Sequence, residues 1–116
     1  MKPPRAGSLY TDLPEPVAVE HFDELLTGEA FRLQRIVSTG QITPPGEWYD
    51  QDDDEWVVIL QGAAEVRLAD EPQARRLTPG DWLLLPAGCR HRVEWTTDDG
   101  PTVWLALHHT AAGGDR

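Results

Sequence analysis

Beyond residue 30 the chain alternates apolar and polar positions with a period of two, in short runs. Phe31, Leu33 and Val37 are set against Arg32, Gln34 and Ile36. Ala64, Val66 and Leu68 are set against Glu65, Arg67 and Ala69, and Val103, Leu105 and Leu107 against Trp104, Ala106 and His108. Successive strand side chains point to opposite faces, so each run predicts a strand that turns one of its sets inward. Two further runs, Trp56–Leu60 and Trp82–Leu85, are apolar at nearly every position. Such strands are covered on both faces, by a second sheet and loops or by another subunit, and a homodimer is the economical expectation.

Turn chemistry recurs every eight to twelve residues. Gly62, Asp70-Glu71-Pro72, Pro79-Gly80-Asp81, Pro86-Ala87-Gly88 and Asp98-Asp99-Gly100-Pro101 separate the runs, as expected of an all-β sandwich or barrel. Upstream, Phe22, Leu25 and Leu26 stand at helical spacing and Gly28 follows, predicting one or two helical turns within Glu20–Thr27. The proline-bearing start lacks periodicity and reads as an extended arm, one that could dock on a partner subunit. The predicted organisation is an arm with a short helical turn over 1–29, a barrel over 30–110 and a flexible tail over 111–116.

Composition narrows the function. With 116 residues, 40% hydrophobic and 26% charged, the chain suits one globular domain with a real core. A formal net charge of −10 repels phosphate backbones and anionic lipid surfaces, so neither nucleic acid nor membrane is an expected partner. Arg67, Arg75, Arg76, Arg90 and Arg92 read as solvated faces. Cys89 is the single cysteine, which excludes an intramolecular disulfide and a Cys-based zinc site. No apolar stretch reaches membrane-span length, and Met1-Lys2-Pro3-Pro4 lacks a signal-peptide core, so a cytoplasmic location is expected.

The chemistry centres on two segments. Gly80-Asp81-Trp82-Leu83-Leu84-Leu85-Pro86-Ala87-Gly88-Cys89-Arg90-His91 places glycine, proline, glycine and histidine at the spacing of the second cupin motif. Gly46–Gly62 resembles the first motif, with six residues between Glu55 and the turn glycine Gly62. Together they identify a resemblance to the cupin superfamily over residues 30 to 108. It implies a double-stranded β-helix, or jelly-roll, barrel that is often dimeric, around a small-molecule pocket holding a divalent metal such as manganese, iron, nickel or zinc. Cupin reactions are diverse, so the fold does not name the reaction.

Two departures alter the implied site. The positions where cupins usually carry metal-binding histidines hold Tyr49 and Gln51, and Trp95 stands where asparagine is frequent. The carried-over ligand set is Gln51, Glu55 and His91, a weaker set that tilts preference toward manganese, iron or magnesium. A metal-free pocket in which Glu55 and His91 form a buried hydrogen-bonded pair is equally open. Tyr49 and His91 are the candidate proton-moving groups, with Tyr49 alternatively closing the pocket mouth. Tyr49, Trp95 and His108 are the expected substrate-pocket residues, Trp95 because alternation with His91 turns its ring inward.

Other features fall away. Asp50, Asp52, Asp53 and Asp54 mimic the start of a calcium loop, but Glu55 occupies the position that needs glycine and Gln61 the closing-glutamate position. Cys89 reads as a structural thiol and His21 has no motif around it. The remaining alternatives are a metal-assisted enzyme on a small molecule and a metal-free ligand-binding or sensing barrel.

Overall fold

The computed structural model describes residues 2–15 and 19–110; the expected flexible tail over 111–116 lies outside them. Eight strands follow in order: β1 (His21–Thr27), β2 (Phe31–Ser38), β3 (Asp54–Gln61), β4 (Ala64–Leu68), β5 (Arg75–Leu77), β6 (Trp82–Leu85), β7 (His91–Thr96) and β8 (Thr102–His109). A five-stranded sheet runs β1-β2-β8-β3-β6 and a three-stranded sheet runs β5-β4-β7, with every pairing antiparallel. The all-β expectation and the jelly-roll arrangement both hold.

The predicted helical turn within 20–27 is instead strand β1. His21 pairs with Val37, Phe22 with Ile36 and Thr27 with Arg32. The register shifts between Glu24 and Leu26, and that bulge brings Phe22, Leu25 and Leu26 to a spacing that imitates a helix. A segment of one or two turns does not hold a helix by itself. The open edge of β2 satisfies the same backbone groups through a ladder, and pairing wins.

Arg35 ties the arm to the barrel. Its Nε donates to Asp23 Oδ2 at 2.8 Å, and Nη1 donates to the Thr11 carbonyl at 2.7 Å. Tyr10 Oη donates to the Leu60 carbonyl at 3.4 Å. The extended start of the chain thus lies on its own barrel. Packing on this outer side ends at β6, where Trp82 and Leu84 are exposed and the Trp56 ring lies 6.0 Å from that of Trp82.

The core sits between the sheets and is built from Ile36, Val57, Ile59, Ala64, Val66, Leu77, Leu85, Trp104 and Ala106. On β8 the inward set is the one containing Trp104, Ala106 and His108, each buried, while Leu105 and Leu107 take the outer face. Gly62 makes the β3–β4 turn with φ +84°, and a Cβ there would come within 2.7 Å of Thr102 Cα. Only glycine meets both demands, and this turn fixes how β3 and its glutamate enter the barrel.

Candidate functional site

Glu55 lies one residue inside β3, opposite His108 on β8 and Leu85 on β6. Cross-strand partners share a face, so the ladder itself points the Glu55 carboxylate and the His108 imidazole into the same space. His91 opens β7 in the other sheet. The loop before β3 is sewn to it by two backbone bonds, from Tyr49 N to the His91 carbonyl at 2.7 Å and from His91 N to the Tyr49 carbonyl at 3.1 Å. Gly88 N donates to the Gln51 carbonyl at 2.8 Å, locking the second motif's turn onto the first motif's loop. Both motifs thereby become one site.

The space they enclose is a cavity of about 80 Å³. Its polar wall is Glu20, Tyr49, Gln51, Glu55, His91 and His108. The remainder is apolar: Phe22, Ile36, Val57, Val66, Leu85, Val93 and the Trp104 ring. Among the described residues, neither lysine nor arginine lines it.

Glu55 is 7% exposed and flanked by both imidazoles. His91 Nε2 stands 3.7 Å from Oε1, and His108 Nε2 stands 3.8 Å from Oε2. Neither distance is a hydrogen bond. The tautomer of His91 follows from its other nitrogen, which lies 2.9 Å from the Cys89 carbonyl. A carbonyl can only accept, so Nδ1 carries a proton and Nε2 is the nitrogen left to face the carboxylate. Gln51 Nε2 donates to Glu55 Oε1 at 3.3 Å, while Gln51 Oε1 and His108 Nδ1 are buried without a hydrogen-bond partner.

These donors can be tested against the divalent ion that the fold implies. Among the described residues no three His, Cys, Asp or Glu side chains are gathered as a ready-made metal centre. In kind the donors suit one: two imidazole nitrogens, a carboxylate and an orphaned amide oxygen. Metal–donor bonds of ~2.0–2.2 Å set tetrahedral donors ~3.3–3.6 Å apart, so separations of 3.7 and 3.8 Å need close by only a few tenths of an ångström. The residues fit.

Tyr49 stacks on His91 with ring centroids 5.4 Å apart and a 24° tilt. Burial, helped by the charges of Glu20, Glu55 and Glu47, pushes its phenol above the ordinary 10.0. The group therefore stays protonated and is a hydrogen-bond donor at the mouth. Cys89 is likewise raised, by burial and then by Asp70 and Glu71, in keeping with a structural thiol.

Of the residues expected at the site, Tyr49, Gln51, Glu55, His91 and His108 are brought together. Trp95 is not. The β4–β7 register shifts between Glu65, which pairs with Trp95, and Val66, which pairs with Val93. Glu94 is the extra residue, and this bulge reverses the alternation, so that Thr96 is buried and Trp95 turns away. The Trp95 ring lies under the Arg76 guanidinium, 4.5 Å from its centroid, in a surface depression beside Gly62 and Gly100. The pocket is correspondingly wider than a ring at that position would leave it.

Sequence reasoning missed Glu20 and misplaced Phe22, both of which reach the cavity mouth from β1 and the residue before it. Their separation by one residue is the strand signal that the helical reading hid.

Comparison with known proteins agrees with this geometry. Residues 35–108 match the profile of the Cupin domain family. Among curated proteins, none matches. A solved structure from Ralstonia eutropha, provisionally named a mannose-6-phosphate isomerase, is 45% identical, superposes with a TM-score of 0.91 and aligns over 93% of this chain and all of its own. A cupin superfamily protein from Desulfitobacterium hafniense is 18% identical with a TM-score of 0.70, covering 85% of this chain and 84% of its own. An RmlC-like cupin with a double-stranded β-helix fold from Methanocaldococcus jannaschii is 12% identical with a TM-score of 0.65, over 84% and 86%. The last two speak to the fold alone.

Proposed function

Because the chain belongs to the cupin family, we propose that its barrel binds a small organic molecule and acts on it with a divalent ion held by Glu55, His91, His108 and Gln51. One observation carries this reading. With His91 Nδ1 committed to Cys89, Nε2 is the nitrogen left to face the Glu55 carboxylate, at 3.7 Å in a cavity with largely apolar walls. Such a pair is stable only with positive charge between them, a proton or a metal ion.

A bound divalent ion would polarise a carbonyl or hydroxyl oxygen of the ligand. His91 Nε2, Glu55 and the orphaned Gln51 Oε1 are the ligands that the sequence motifs select, and His108 Nε2 is the one that the register of β8 adds. Two imidazoles, a carboxylate and an amide oxygen suit iron, nickel or zinc, and the two oxygens keep manganese within range. The apolar walls exclude water and strengthen each polar contact inside. Tyr49, kept protonated at the mouth, donates a hydrogen bond to the ligand. The name given to the Ralstonia relative supports an enzyme-like role, and proton-transfer isomerisation is the first reaction class to assay.

A metal-free binding barrel is the alternative, favoured by the contact of Gln51 Nε2 with Glu55 Oε1 at 3.3 Å. Elemental analysis of the purified protein separates the two. About one manganese, iron, nickel or zinc ion per chain is expected, and Glu55→Ala and His91→Ala should each lose it. Protein that is purified metal-free and refuses all four added ions would leave the ligand-binding reading in its place.

A further inference from the structure

Glu20 is held in the cavity wall by a relay that starts in the core. Trp104 Nε1 donates to Ser38 Oγ at 3.0 Å, and Ser38 Oγ donates to Glu20 Oε2 at 2.6 Å. Ser38 and Trp104 are 0% and 4% exposed, so the last link is anchored by groups that do not move with solvent. Position 20 follows from the β1–β2 register: His21 pairs with Val37, which sets Glu20 against Ser38. The bond from Ser38 uses one carboxyl oxygen, and the carboxyl lines the same cavity as Glu55.

Two carboxyls therefore face one cavity that no lysine or arginine lines among the described residues. Three aromatic side chains, Phe22, Tyr49 and Trp104, form part of the same wall. A divalent ion at Glu55 would at most balance the two carboxylates, leaving no surplus positive charge for a dianionic phosphate. A ligand that brings a hydrogen-bond donor or a positive charge to Glu20 meets a partner already in place, and π-faces beside it suit a cation as well.

We propose that Glu20 is a ligand-binding residue of this cavity, and that the paired carboxyls Glu20 and Glu55 select a small organic molecule carrying an N–H, O–H or cationic group over a phosphate ester. This rests on the reading of the cavity as a ligand site. It separates the chain from any phosphorylated-sugar substrate suggested by the name of the Ralstonia relative. Burial, opposed by the Ser38 hydrogen bond and aided by the Glu55 charge, raises the Glu20 carboxyl from its ordinary range, which is the strain that a donor-bearing ligand relieves.

The test uses the full chain and three probes of one framework: benzylamine, benzyl alcohol and benzyl phosphate. Affinities are titrated by NMR, with the Trp104 Nε1–H resonance as the local reporter, for wild type, Glu20→Gln and Ser38→Ala. In wild type the amine and alcohol should shift that resonance, and the phosphate should bind at least about tenfold more weakly than the amine. Glu20→Gln, isosteric and retaining the fold, should cut the preference for the amine over the alcohol about fivefold or more. Ser38→Ala, which leaves the carboxyl but unties it, should fall between. Equal binding of phosphate and amine, or an amine preference unchanged in Glu20→Gln, would overturn the role of Glu20. Failure of all three probes to perturb wild type at millimolar concentration would overturn the ligand-site reading itself, and the proposal with it.

Discussion

His91 presents Nε2 to Glu55 Oε1 at 3.7 Å from the opposite sheet, while its Nδ1 is spent on the Cys89 carbonyl at 2.9 Å. The second bond fixes what the first contact can be. With the tautomer decided, the pair can close only around a positive charge, and the polar chemistry of the cavity is organised by that requirement.

Arg35 should matter more to stability than its position on an outer strand face suggests. It is 8% exposed, pairs with Asp23 and donates to carbonyls of the arm at Leu9, Thr11 and Asp12. Removing a buried charge-assisted hydrogen-bonding group costs about 1.5–3 kcal/mol. Arg35→Ala is expected to lower the unfolding free energy from urea titration by that amount and to open the arm to limited proteolysis between residues 5 and 15. An unchanged cleavage pattern would show that the arm holds without it.

Trp95→Ala should leave ligand and metal binding intact. The ring stacks on an exposed Arg76 rather than on the cavity, and an exposed cation–π contact is worth about 0.5–1 kcal/mol. A small drop in melting temperature with unchanged probe affinity is the expected result. A tenfold change in affinity would place the ring in the pocket after all.

Glu20 should make stability depend on pH in a definite direction. Burial first, and then Glu55, raise its carboxyl above 4.5, against the Ser38 bond. A raised carboxyl favours the folded state fully below the unfolded pKa and loses that contribution as pH climbs through the folded pKa. Wild type should therefore lose stability relative to Glu20→Gln as pH climbs above about 4.5, measured by urea unfolding at several pH values. A constant difference across that window would contradict the assignment.

The barrel was legible because its strands obey the two-residue period and its turns are marked by glycine and proline. Gly62, with φ +84° and Thr102 packed against it, is the kind of position that only one residue type can fill, which is why the motif spacing carried Glu55 to the right place. His108 was readable as in step with Trp104 and Ala106 for the same reason. Bulges were not legible. One at Glu24–Leu26 made β1 resemble a helix, and one at Glu94 turned Trp95 outward; each depends on a pairing partner far along the chain. Glu20 was hidden for a related reason, since its place in the cavity depends on Ser38 and Trp104, which the local sequence does not name.

The space between His91 Nε2 and Glu55 is where a metal ion or a proton must sit. Anomalous diffraction from crystals of the full chain grown with manganese would show what occupies it. One anomalous peak is expected within ~2.0–2.3 Å of His91 Nε2 and a Glu55 oxygen. Closure of the two side chains into a direct Nε2–H···O hydrogen bond of ~2.8 Å, with no peak nearby, would show that a proton alone joins them and that the metal-assisted function is wrong.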